Sequence, residues 1–385
     1  MSKDNNVITI SYGRQLLDVD NHEHKRHVQI AKELTSLAMV VFTSRRAGEL
    51  PVVTSEPGLT VHPTNSRLKI LMLFDAYRVA GKIIKHTNPK PIVTTQDPAA
   101  AGLVGLLLKW RYGVQLVVQE HCDVMSTPHW RNESLKNWLQ YWVSIFVLRR
   151  ADVVRVVAGR SVGALRQLGV TAPITQLPVS VAAERFVAAQ SSRPHNRDTF
   201  EYVTLARFVK QKNFPLLIRA FAAAHKVVPA LRLKIVGTGP EESTILATIA
   251  EQFPSATHSV VPITIEGWTD DVATLLREAD AYVLSSNYEG WGRVLIEAVV
   301  ARLPIVTTDV GCVGEVIVPG QHALVVPLDD EQALTKALVK LARDTECYAS
   351  IVDNQSALTQ RGVVGTQLEQ YGTNWRETLT PTVSE

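Results

Sequence analysis

Cysteine is scarce: Cys122, Cys312 and Cys347 are the three in 385 residues, widely spaced and odd in number. That usage argues against a disulfide framework or a zinc site and for a reducing, cytoplasmic compartment. A hydrophobic signal region is not expected either, because MSKDNNVITISYG runs directly into an expected strand. Long apolar runs are absent too. The longest, Ala99 to Leu108, is ended by Lys109 well short of a bilayer span. There are no internal repeats, no low-complexity tracts and no basic stripe interleaved with aromatics, so nucleic acid is not an expected partner. The one Asp-x-Asp, Asp18-Val19-Asp20, does not directly follow an apolar strand.

What the chain does have is length, an ordinary globular composition and an uneven charge. With 385 residues, 46% hydrophobic and 20% charged, two domains of soluble type are expected. Net charge is only +3, yet residues 1–190 carry 23 Lys and Arg against 14 Asp and Glu, while residues 191–385 carry 17 against 23. On charge alone the basic half suits an anionic partner, whether nucleic acid, an acidic membrane surface or a phosphorylated acceptor; a solvated face without function is the plainer alternative.

Hydrophobic patterning gives an alternation of strands and helices. In the first half, strands are expected at Val7 to Tyr12, Met39 to Thr43, Ile92 to Thr95, Val114 to Val118 and Val153 to Val157. Helices are expected from about Asn21 to Ala38, up to Ile84, up to Trp110, over Trp130 to Arg150 and over Ser161 to Leu168. Apolar pattern gives way to polar residues at Ala188 to Asp198, the expected linker. A second set follows, with strands at Tyr202 to Leu205, Leu231 to Val236, Ile263 to Ile265, Ala281 to Leu284, Ile305 to Thr308 and Ala323 to Val326 and helices between them. A helix over Glu331 to Arg343 and a helical tail to about Leu379 close the chain. The expected fold is α/β, two doubly wound Rossmann-like domains at 1–190 and 191–365, with the tail from about 366 to 385 returning to the first.

The most informative stretch is Asp280 to Glu315, DAYVLSSNYEGWGRVLIEAVVARLPIVTTDVGCVGE. An apolar strand, a glycine loop, a helix and a second strand place a helix amino end at the mouth of a parallel sheet, where backbone amides and the dipole favour a phosphate. Gly290 and Gly292 permit close approach. Glu289 in the loop and Glu297 on the helix supply carboxylates, which accept bidentate hydrogen bonds from vicinal hydroxyls. Phosphate donors flanked by diol acceptors describe a nucleotide-sugar site. An ordinary βαβ unit with surface glutamates fits the spacing as well.

EGWGRVLIEAVVARLPIVTTDVG resembles the E-x7-E signature of the retaining, group 1 (family 4) glycosyltransferases of the GT-B fold. Two positions depart from the pattern: Arg302 stands where Gly is usual, and Gly311 to Glu315 reads GCVGE in place of a Gly-Gly-x-Pro-Glu turn. The resemblance implies donor contacts at Glu289, Gly290, Trp291, Gly292, Arg293 and Glu297, with Glu289 on the sugar and Glu297 on the ribose. It also implies Arg207 and Lys212, in LARFVKQKNF, as cations that neutralise a departing diphosphate; Lys210 is the rival to Lys212. Gly237 matches the family's VG-x-GP turn, and Trp268 lies where relatives line the base pocket. In the first half, Gly13 matches part of a glycine-rich loop, and His121, in VVQEHCD, matches a histidine placed at the reacting sugar. Asp97 and Asp123 are further candidates for acceptor contacts.

The function implied is metal-independent, retaining transfer of a sugar from a UDP- or GDP-sugar to a hydroxyl acceptor, a lipid-linked or polysaccharide glycan, with no cofactor. A nucleotide-sugar 2-epimerase shares this architecture but needs acid/base carboxylates in the first domain, and a non-enzymatic basic α/β nucleic-acid-binding protein is the remaining alternative. Trp138, Leu139, Trp142, Ile145 and Phe146 recur at helical spacing among Arg131, Lys136, Arg149 and Arg150. Such a stripe either packs in the core or lies on an anionic membrane as a peripheral contact.

Overall fold

A computed structural model describes residues 5–45, 48–179, 181, 184–187, 198–254, 261–360 and 368–379. The chain forms two units, Met1–Ser180 with Gln367–Glu385, and Val181–Thr366. The expected linker and the boundary at 190/191 fall largely on residues 188–197, which lie outside the described residues, as does the boundary near 365.

The first unit is built on β1 (Asn6–Ser11), β2 (Ser36–Val41), β3 (Val53–Ser55), β4 (Leu59–Pro63), β5 (Ile92–Thr95), β6 (Leu116–Glu120), β7 (Val153–Val156) and β8 (Ile174–Gln176). They pair in the order β3-β4-β2-β1-β5-β6-β7-β8, parallel except for β3 against β4. Helices α1 (His22–Ala31), α2 (Met72–His86), α3 (Ala100–Tyr112), α4 (Pro128–Asn132), α5 (Leu135–Leu148) and α6 (Arg160–Gln167) connect them.

Two expectations need correcting here. The helix from Asn21 stops at Ala31, and Leu37, Met39 and Val41 instead enter the core on β2, held by parallel pairing to β1 and β4. The helix over Trp130 to Arg150 is two helices. Thr127 caps the first, with Pro128 in its first turn, and Ser134 caps the second through its Oγ, 3.1 Å from the Asn137 amide. A serine hydroxyl that accepts from the third residue on is a start signal, so the chain begins a new helix there.

The second unit holds α7 (Glu184–Val187), β9 (Phe200–Leu205), α8 (Phe214–Val227), β10 (Leu231–Val236), α9 (Glu242–Gln252), β11 (Ile263–Glu266), α10 (Val272–Glu278), β12 (Ala281–Leu284), α11 (Arg293–Val300), β13 (Ile305–Thr308), β14 (Leu324–Val326), α12 (Glu331–Arg343) and α13 (Thr345–Gln360). Its sheet is parallel throughout, in the order β11-β10-β9-β12-β13-β14. The last helix, α14 (Leu368–Glu377), belongs to the first unit. Its Trp375, with Leu379, joins the core cluster of Leu16, Ile30 and Leu37, and Arg376 lies 3.7 Å from Glu33.

Both sheets are doubly wound, which fixes where a ligand can sit. In the first unit the chain leaves β1 toward β2 on one side and resumes at β5 on the other; in the second it leaves β9 toward β10 and resumes at β12. A crevice opens where the winding reverses, outside the carboxyl ends of β1 and β5 and of β9 and β12.

Candidate active site

In the second unit the crevice is formed by the loops that follow β9 and β12. Phe208 and Phe214 anchor the first loop in the core, so Arg207 at its start is exposed while Lys212 near its end is half-buried. Asn213, in the left-handed region at φ +47°, then caps α8 by accepting from the Leu216 amide at 3.4 Å. Asparagine tolerates that conformation better than most residues.

After β12 the chain turns through Ser285 to Gly292. Glu289 is 8% exposed and is held from three sides. Lys212 Nζ pairs with its Oε1, Ser286 Oγ donates to the same oxygen at 2.7 Å, and Gln211 Nε2, which donates to the Tyr288 carbonyl at 2.8 Å, lies 3.5 Å from Oε2. Gly292 then adopts φ +76° as the residue before α11, and no side chain caps that helix. Its first amides therefore remain available to an anion, and a residue with a β-carbon would be strained at this turn.

Glu297 lies one turn into α11 and is 7% exposed. Burial raises its pKa, opposed by Arg293, whose Nη2 is 3.8 Å away, and by Arg185. Glu289 and Glu297 both act on the buried Tyr282 hydroxyl, so the two carboxylates of the E-x7-E element border one region. Trp291 is buried and Arg293 exposed. Trp268 is 52% exposed, its indole nitrogen 3.3 Å from Asp270. A β-carbon on Gly237 would stand 2.0 Å from the Ala206 carbonyl oxygen, so this glycine lets the turn after β10 pass against the exit of β9. Lys210 is exposed, and of the two rival lysines it is Lys212 that meets Glu289.

The crevice of the first unit holds Gly13 and His121. They line a pocket of about 220 Å³ together with Arg26, Gln96, Gln119, Arg155 and Trp375. Gln119 Nε2 donates to Thr94 Oγ1 at 2.7 Å, which leaves its Oε1 to accept from His121 Nε2 at 2.9 Å. Nδ1 of His121 is then a proton-free acceptor. Burial, then Arg155 and Arg26, push the His121 pKa down to about 3, so the ring is neutral at ordinary pH.

Asp97 is held by the start of α3, and Asp123 by its own turn and by α6. Asp97 accepts from the Ala99 and Ala101 amides at 2.8 and 3.2 Å at the start of α3, and Asp123 accepts from Ser126 and, at 2.7 Å, from Ser161. Asp18 and Asp20 form an exposed turn, with the Asp20 amide 3.0 Å from Asp18 Oδ1.

Residues 188–357 match the family described as glycosyl transferases group 1, and residues 24–180 match the glycosyl transferase 4-like domain. The chain belongs to the group 1 (family 4) glycosyltransferases. This glycosyltransferase is 27% identical over 282 residues to the alpha-maltose-1-phosphate synthase of Mycolicibacterium smegmatis, covering 69% of the chain and 70% of that protein. Sucrose-phosphate synthase of Thermosynechococcus elongatus superposes with a TM-score of 0.76 at 19% identity, over 97% of this chain and 99% of that one. HepE of Anabaena in complex with UDP superposes at 0.70 and 18% identity, over 97% and 99%. The fold is GT-B.

Three groups at these crevices were not among the expected residues. Ser286 and Gln211 orient Glu289, and nothing in a serine at a strand end or a glutamine between two lysines marks them beforehand. Arg155 does carry a mark. An arginine in the middle of the apolar strand VVRV is seldom buried without a purpose, and here it is 2% exposed.

Proposed function

We propose that this glycosyltransferase moves a sugar, with retention, from a nucleotide diphosphate sugar of the UDP or GDP type to a hydroxyl acceptor and needs no metal. The observation that carries this reading is the pairing of Lys212 with Glu289 beside the uncapped start of α11, with Glu297 one turn further on. Lys212 keeps two further N–H donors for a diphosphate while it holds Glu289. In this mechanism the bond from C1 of the sugar to the phosphate oxygen breaks as the acceptor oxygen bonds to C1 on the same face. The acceptor proton passes to the departing phosphate, so no enzyme nucleophile is used. Arg207, Lys212 and the Gly290 to Gly292 segment stabilise the charge that grows on the phosphate. Glu289 positions the sugar hydroxyls, Glu297 accepts from the ribose diol, and neutral His121 accepts a sugar hydroxyl at Nδ1. HepE of Anabaena, which shares this fold, binds UDP, and this supports a nucleotide-sugar donor.

A hydrolysis assay with labelled UDP- and GDP-sugars tests the reading. Release of free sugar from one donor, with the anomeric configuration kept, is expected. Conversion at C2 without release would favour the epimerase reading, and inertness toward every donor would sink both.

A surface of the first unit supports a lipid-linked acceptor reached in the cytoplasm at an anionic membrane. Tyr141, Ile145 and Leu148 of α5 point inward, whereas Leu135, Trp138, Leu139, Trp142 and Phe146 are exposed. Trp110 of α3 meets Phe146 edge-on at 6.2 Å, and Arg150 lies over the Phe146 ring at 3.9 Å. Exposed aromatics ringed by cations match an interfacial binding face. Among the described residues no helix is long and apolar enough to cross a membrane. Sedimentation with liposomes is expected to show binding that needs anionic lipid and weakens with salt; binding indifferent to both would favour a soluble glycan.

A further inference from the structure

Away from the crevice of the first unit, α3 packs against α2 and against α5. Between α2 and α3 runs an apolar groove of about 630 Å³. Leu73, Phe74 and Tyr77 of α2 and Leu103, Leu107 and Trp110 of α3 line it, with Arg111 as its charged member. That volume lies in the range of small-molecule sites, roughly 300–1,000 Å³. Beyond Tyr77 the helices close on each other. A β-carbon on Gly81 would stand 2.7 Å from the Tyr112 hydroxyl, and the Tyr77 and Tyr112 rings lie 6.5 Å apart. From Leu103 to Arg111 the groove follows α3 for about 12 Å, at roughly 1.5 Å per residue.

Phe74, Leu107 and Trp110 are exposed, as are Leu68 and Ile70 just before α2. Contiguous apolar surface of this kind marks an interaction site. Through the contact of Trp110 with Phe146 the groove is continuous with the exposed stripe of α5. Its surroundings are strongly basic: α2, α3 and α5 carry Arg78, Lys82, Lys85, Lys109, Arg111 and Lys136 against one acid, Asp75. Lys109 is taken up by Asp152 at 2.7 Å. Arg78 lies over the Phe74 ring at 5.7 Å and Arg111 over Tyr112 at 5.4 Å, so cations stand on aromatic rings at the margin of the groove.

This charge selects the occupant. A second copy of the chain, docked through the same patch on both partners, would set these cations against their own duplicates. An anionic lipid meets them with opposite charge. A concave apolar groove also does what the convex stripe of α5 does not, which is to enclose a chain.

We propose that the groove between α2 and α3 takes one hydrocarbon chain of an anionic membrane lipid, with Arg111 on the lipid phosphate. The inference rests on the membrane-face reading above and deepens it, from adsorption on a surface to capture of a single lipid. The groove runs along helix flanks and not at the carboxyl ends of the strands, so this lipid anchors the first unit and is not the sugar acceptor.

The test is calorimetry on the full chain with inorganic phosphate, with hexyl, octyl, decyl and tetradecyl phosphate below their micellisation concentrations, and with decyl maltoside. One alkyl phosphate is expected per chain, with affinity rising about fourfold per added methylene and levelling off once the chain exceeds the roughly 12 Å along α3. Decyl maltoside should bind about tenfold or more weakly than decyl phosphate, and Arg111→Gln should remove that difference. Leu107→Glu, at an exposed position that folding tolerates, should abolish binding, whereas Trp142→Ala on α5 should leave it unchanged while weakening sedimentation with anionic liposomes. Affinity indifferent to chain length, uptake of many alkyl phosphates without saturation, or full binding by Leu107→Glu would each overturn the proposal. Sedimentation equilibrium that shows a dimer dispersed by Leu107→Glu would assign the groove to a second copy and overturn it too. A chain that sediments with anionic liposomes yet binds no decyl phosphate refutes the groove and leaves the membrane face standing. One that binds decyl phosphate but ignores liposomes refutes the membrane as the source.

Discussion

Lys212 and Glu289 stand 77 residues apart in the chain and form an ion pair in the crevice of the second unit, with side chains 15% and 10% exposed. The pair joins the loop after β9 to the loop before α11, so a change at either residue reaches both. Lys212→Met leaves a buried carboxylate without its cation and should lower stability by about 1–3 kcal/mol. Adding Glu289→Gln should recover part of that loss, because the uncompensated charge is gone. Denaturant unfolding of the wild type, both single variants and the double variant gives the coupling energy. Strict additivity would show that the pair contributes nothing.

For turnover the expectation is different. Arg207→Ala, at an exposed position, should leave stability unchanged and reduce kcat by about 10²-fold, as the loss of one preorganised group at a developing charge does. Near-normal kcat in a folded Arg207→Ala protein removes it from the site.

On the proposed ribose role, Glu297 should link donor affinity to pH. Burial raises its pKa, and only the ionised form accepts from both ribose hydroxyls. Nucleotide affinity should therefore fall on acidification at a higher pH than an ordinary glutamate would give. Glu297→Gln should flatten that dependence, and Glu297→Ala should weaken nucleotide binding by roughly 1.5–3 kcal/mol. Calorimetric titration over a pH series checks both; an unchanged affinity in Glu297→Ala contradicts the ribose role.

Acid stability should report the first unit. His27 and His121 titrate at about 4 and about 3 when folded and near 6.5 when unfolded, so the unfolded chain binds more protons in between. Stability is retained above about pH 6.5 and lost as pH falls from there toward 4, with each histidine adding up to about 1.4 kcal/mol per pH unit to the slope. The buried His27 is the cleaner probe. Melting curves of His27→Gln against wild type should show a shallower loss in the variant, and parallel curves would contradict the burial argument.

Activity should survive chelation. The proposed diphosphate ligands are cationic side chains and a helix start, which replace a bridging cation. Turnover after EDTA treatment should equal that of the untreated enzyme; loss that magnesium or manganese restores would overturn the metal-independent mechanism.

Much of the fold was legible in the residues because its local signals are strong. The apolar runs Ile92–Thr95 and Ala281–Leu284 end at polar residues and are strands with those bounds, and Glu331–Arg343 is a helix as its periodicity requires. The limits of α1 were not legible. Lys32 to Thr35 continue a helix-compatible pattern, and only pairing of Ser36–Val41 with β1 and β4 ends it. The E-x7-E spacing likewise marked Glu289 and Glu297, but not the Ser286 and Gln211 contacts that orient Glu289.

By itself, then, the sequence determined the alternation of strands and helices, the glycine-flanked helix start and the family, since each is written in residues close together in the chain. Tertiary structure alone decided which side of the tryptophans of α5 faces out, that Trp375 closes a pocket begun by Gly13, and that Arg26 and Arg155 line that pocket with His121. Those relations join residues up to hundreds of positions apart. They follow from strand order and from the return of α14 to the first unit, which no local pattern encodes.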